Sequence, residues 1–135
     1  MNQYENPPKL DEWKKIARMD WERIKRNLRD KDAVVAGFFL QQCIEKFIKA
    51  FLILHGCKLR KIHKLDTLLD EAIKYCPELK SFYDLCERVS TYYIADRYPP
   101  FGTFEYTCED IQNDLKEAET FIKILFPDEE LENRR

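Results

Sequence analysis

The sequence predicts an all-α protein, an up-and-down bundle of four to five helices. Apolar residues recur at helical spacing through five segments, while only 3 Gly and 6 Pro punctuate the 135 residues. So few glycines cannot supply the tight turns of an all-β fold. The 9 Phe, 7 Tyr and 2 Trp exclude a disordered chain. A domain of this length buries roughly 68% of its unfolded surface, enough for a core without metal or disulfide staples.

Residues 1–8 are polar, with Pro7-Pro8, and read as a loose arm before a helical domain at 9–126. The first helix spans about Lys9 to Arg29, because Leu10, Trp13, Ala17, Trp21, Ile24 and Leu28 form one apolar stripe. Asp30-Lys31-Asp32 breaks it, and Asp32 suits an N-cap. The second helix, about Ala33 to His55, is apolar almost all round, which places it at the centre. Gly56 ends it in a left-handed cap.

A basic connector, 57–64, leads to a third helix at about 64–75 with Leu65, Leu68, Leu69, Ala72 and Ile73 on one face. Pro77 starts a fourth, about 78–95, with Leu79, Phe82, Leu85, Cys86, Val89 and Tyr93 inward. Pro99-Pro100 stops it. Thr107 and Asp110 make a capping box for the last helix, whose stripe is Ile111, Leu115, Ala118, Ile122 and Leu125. The remainder, 127–135, reads as a solvated polar tail.

Lys+Arg 23 against Asp+Glu 25 gives a formal charge of −2, which excludes a uniformly basic nucleic-acid coat. No apolar run reaches the ~20 residues of a membrane span. The N-terminal residues carry no secretory pattern, so the expectation is a cytoplasmic protein. Five widely spaced cysteines in a reducing compartment read as small buried hydrophobes, without zinc spacing. No metal and no cofactor is expected.

Four residues of the second helix break its apolar character: Gln42, Glu45, Lys46 and Lys49. At 100° per residue they share one stripe. A buried helix carries such groups only when they are paired or face a cleft. Glu45 can pair with Lys49, or the lysines can meet phosphate oxygens in a polar cleft. The run from Lys46 to Lys64 holds six Lys/Arg, two His and no acid. It reads either as a solvated helix end and loop or as a local anion attractor. His63 can bond backbone at a helix start or hold a phosphate. Arg97 can close the fourth helix or grip a phosphate, with Tyr93 or Tyr98 stacking on a base. Phosphate-cradling glycine loops are absent.

The order FFLQQCIEKFIKAFLILHG, IHKLDTLLDEA, IADRYPP and TCEDIQNDLKEAETFIKIL resembles the HEPN domain, in the subgroup associated with minimal nucleotidyltransferases. The resemblance covers about 9–126. It implies a helical bundle that forms homodimers. It also implies nucleotide binding, or partnership with a nucleotidyltransferase in a toxin–antitoxin pair. The wider superfamily includes metal-independent RNases that carry Arg, four to six residues, then His. That motif is missing here, since YPPFGTFEY follows Arg97 and His63 follows Arg60 by three positions.

Three readings follow. The first is a non-catalytic module that binds a nucleotide, RNA or a nucleotidyltransferase partner through Gln42, Glu45, Lys46, Lys49, His63, Tyr93, Arg97 and Tyr98. The second is an RNase with a non-standard site, in which His63 and Arg97 are the catalytic candidates. The third is a purely structural dimerisation domain.

Overall fold

The computed structural model of the protein describes residues 8–58, 61–97 and 106–131, the side chains of Pro8 and 93–97 excepted. The described residues form an all-α helical bundle: α1 (Pro8–Arg29), α2 (Ala33–Leu54), α3 (Leu65–Ile73), a 3-10 turn (Pro77–Phe82), α4 (Tyr83–Arg97) and α5 (Cys108–Leu125). None of these helices is long and apolar enough to cross a membrane.

Local chemistry explains most of the boundaries. Proline fits the first helical position because its missing N–H has no partner there. Pro8 therefore belongs to α1 and not to an arm, while residues 1–7 lie outside the description. Lys31 takes a positive φ of 60° at the turn. The Asp32 carboxylate then accepts from the Val35 N–H, capping α2. Gly56, at φ +81°, turns the chain out of α2. Thr107 and Asp110 exchange side-chain and backbone bonds in a full capping box. At Pro77 the chain makes a 3-10 turn before α4 begins, so the fourth α-helix starts at Tyr83 and not at 78.

Helix α2 is the hub. It packs on α1, α3, α4 and α5, and Leu40, Cys43, Ile44, Phe47 and Ile48 on it are fully buried. Burial of this apolar surface is the main stabilising term. Gly37 lets α2 approach closely: a Cβ there would lie 3.1 Å from Tyr92 Cβ and 3.2 Å from Ile111 Cδ1.

Two expectations are corrected. The segment after α5 is not a solvated tail through 131, because Glu129 and Leu131 are buried. Glu129 accepts a bidentate pair from Arg18 and lies 3.4 Å from Lys14, so charge on α1 fixes the C-terminal segment. Residues 132–135 lie outside the description. Of the five cysteines, all free, only Cys43 and Cys86 are buried, while Cys57, Cys76 and Cys108 are half-buried.

Candidate functional site: an acidic cleft with a buried carboxylate on its floor

A cleft of ≈ 940 Å³ opens where α2, α3, α4 and the connector before α3 meet. Its α2 side carries Phe38, Gln41, Gln42 and Glu45. This follows from helical spacing, since positions 38, 41, 42 and 45 lie on one face. Asp66 and Asp70 come from α3, one turn apart, and Asp84 and Glu87 from α4. His63 and Lys64 stand at the connector.

Glu45 organises the cleft floor. It is 7% exposed. One oxygen accepts from Lys49 Nζ at 2.8 Å and lies 2.9 Å from His63 Nδ1. The other accepts from Gln41 Nε2 at 3.3 Å. The Gln41 carbonyl in turn accepts from Gln42 Nε2 at 2.6 Å. A carboxylate only accepts, so the contact with Glu45 calls for a proton on His63 Nδ1, while the Lys49 ammonium, 3.4 Å from the same nitrogen, can only donate to it. His63 is 71% exposed at its side chain, so only its bonded edge is fixed. Lys49 is buried, with its ammonium 5.4 Å from the centre of the Trp13 ring.

The stripe on α2 therefore divides. Gln42, Glu45 and His63 meet at the cleft. Lys49 lies behind Glu45 and neutralises it. Lys46 turns away to α1, where it pairs with Asp20. Asp20, 1% exposed, also accepts from Arg23 at 2.9 Å. Both lysines are thus matched to carboxylates inside the fold. The side chains of Tyr93 and Arg97, and the whole of Tyr98, lie outside the description.

The cleft's charge is the reverse of the anion attractor considered from the sequence. Five carboxylates line it, against one lysine and one histidine. Such walls repel phosphate and favour cations. Lys58, Lys61 and Lys64 of the basic connector are exposed, and Lys64 also lines the cleft. Among the described residues no group of three or more His, Cys, Asp or Glu is arranged to hold a metal ion.

Two features escaped the sequence reading. The first is the Tyr83 hydroxyl, which donates to Asp70 across the cleft wall. That bond, then burial and the Asp70 charge, push the Tyr83 phenol up to about 12. The second is Asp114, buried on α5, which accepts from Tyr92 and from Arg88 Nε at 3.1 Å. Burial and then the Asp114 bond raise the Tyr92 phenol far above its ordinary value. Tyr92 faces the core. The spacing Arg88, Tyr92 was a visible i, i+4 pair, but its acid lies on another helix.

The HEPN domain family model matches residues 10–131. The chain belongs to the HEPN domain family. The match includes the buried segment at Glu129 and Leu131, in keeping with their place in the bundle. This HEPN chain is also 29% identical to "Putative toxin MJ1304" of Methanocaldococcus jannaschii, over 82% of each chain. No solved structure matches it.

Proposed function

We propose that this HEPN chain is the toxin-type member of a toxin–antitoxin pair, acting as a non-catalytic interaction module whose partner is a nucleotidyltransferase. One observation carries the choice of protein partner over bound nucleotide: Lys46 and Lys49 are each satisfied by a carboxylate, Asp20 and Glu45, while the adjoining cleft is acidic. A nucleotide there would set its phosphates against like charge. The family match and the toxin name of the relative support the toxin–antitoxin setting. Induced expression of the tagged chain in its own host tests the reading. Slowed growth and co-purification of a nucleotidyltransferase are expected. Normal growth, with no such protein captured, overturns it.

A second reading, RNA cleavage, rests on the Glu45–His63 contact. A carboxylate that holds Nδ1 of an imidazole leaves Nε2 suited to proton transfer. Cleavage of RNA in EDTA that disappears in His63→Ala supports this reading. Intact RNA with the parent protein dismisses it.

A further inference from the structure

We propose that the cleft between α2, α3 and α4 is the docking site for a Lys- or Arg-bearing segment of the protein partner. This rests on the interaction-module reading above and names the chemistry that the partner must present.

The charge of the walls carries the argument. Asp66 and Asp70 lie one turn apart on α3, facing Asp84 and Glu87, three positions apart on α4. Like charges at this helical spacing are unfavourable, and the two walls repel one another across the gap. Asp70 accepts a hydrogen bond from Tyr83, and Lys64 lines the cleft, but among the described residues no lysine or arginine pairs with any of these four acids. Lys46 and Lys49 are engaged by Asp20 and Glu45, and Arg88 pairs with Asp114 and Glu117 of α5. Asp84 and Glu87 have no ion-pair or hydrogen-bond partner among the described residues. A cation between the walls converts that repulsion into paired contacts.

The floor adds shape and selectivity. Phe38 lines the cleft beside the amides of Gln41 and Gln42. Its ring meets Phe39 edge-on, with centroids 5.3 Å apart. An arginine or lysine carries an apolar stem that packs on such a ring while its head reaches carboxylates. The planar guanidinium suits two facing acids best. Gln41 is 6% exposed, so the amide row at the floor is fixed in place before any ligand enters. The volume, ≈ 940 Å³, admits one or two such side chains with a short length of backbone.

The test uses the full chain, isotopically labelled, and a synthetic peptide of Arg, Lys and Gly. The same peptide with Glu in place of Arg and Lys is the control. Amide shifts should concentrate on Gln41, Gln42, His63 and the facing sides of α3 and α4. In Asp84→Asn/Glu87→Gln the affinity should fall about tenfold, the scale of a close charge pair at an interface. Glu12→Gln/Glu130→Gln, at exposed acids away from the cleft, should bind as the parent does. Shifts scattered over the surface, or equal binding by the Asp84/Glu87 variant, overturn the docking site.

Partner capture separates this failure from that of the parent reading. A nucleotidyltransferase captured equally by the Asp84/Glu87 variant keeps the module and removes the cleft as its site. Peptide binding confined to the cleft, without any nucleotidyltransferase captured, keeps the cationic site and removes the partner assignment.

Discussion

The Nδ1 of His63 lies 2.9 Å from the carboxylate of Glu45, tying the connector before α3 to the middle of α2 across 18 positions of sequence. The same oxygen receives the ammonium of Lys49. A buried acid on the central helix thus fastens a loop, neutralises a buried lysine and forms the floor of the cleft.

Removing the Glu45 carboxylate strands a cation. The Lys49 side chain is only 6% exposed, and breaking a buried pair costs about 3–5 kcal/mol. Glu45→Ala should lower stability on that scale in urea unfolding. Glu45→Leu/Lys49→Met removes both charges and should recover most of the loss. A double variant as unstable as the single one would show that the pair is not what Glu45 supplies.

Acid should loosen the C-terminal segment. Burial alone raises the Glu129 carboxyl, but Arg18 and Lys14 outweigh it and leave it below the ordinary 4.5. A depressed folded value stabilises fully above the unfolded one and is lost as pH falls through the folded one. The Tm gap between the parent and Glu129→Gln should therefore be widest above pH 4.5 and close below it. A gap independent of pH would contradict the ion pair.

Thiol labelling should divide the cysteines. Burial pushes the Cys43 thiol well up, and burial followed by Asp66 and Glu117 pushes Cys86 up to about 12. Thiolate is the reactive form. Cys57, Cys76 and Cys108, all half-buried, should label first in the native protein, with Cys43 and Cys86 following only on unfolding. Mass mapping of an alkylation time course reads the order directly.

At Gly37 two effects oppose. Alanine gains about 1 kcal/mol of helix propensity. Its Cβ would press Tyr92 and Ile111, and overpacking costs typically 1–3 kcal/mol. Tyr92 cannot yield easily, because its hydroxyl is held by Asp114. Gly37→Ala should be net destabilising by about 1 kcal/mol, whereas Gly37→Ala in a Tyr92→Ala background should not add to the damage.

The sequence made the helices legible because their order is written in local signals. Apolar spacing, Asp32, Gly56 and the Thr107–Asp110 pair each act within a few residues. The polar stripe on α2 was also visible, but its meaning was not. Periodicity reports that Lys46 and Lys49 share a side with Glu45, yet not that Asp20 arrives from α1 to meet Lys46. The cleft's sign depended on Asp66, Asp70, Asp84 and Glu87, which look like solvated helix faces until α3 and α4 are packed together. Glu129 misled for the same reason, since a short acidic segment after a proline reads as solvent-facing until Arg18 and Lys14 are seen beneath it.

The most direct test is to purify the tagged chain from its own host and determine what is bound to it. Proteins are identified by mass spectrometry, and nucleotides are released by denaturation and quantified. The account predicts a nucleotidyltransferase in stoichiometric amount and no nucleotide retained by the HEPN chain itself. A chain that carries stoichiometric nucleotide and no protein partner would contradict it.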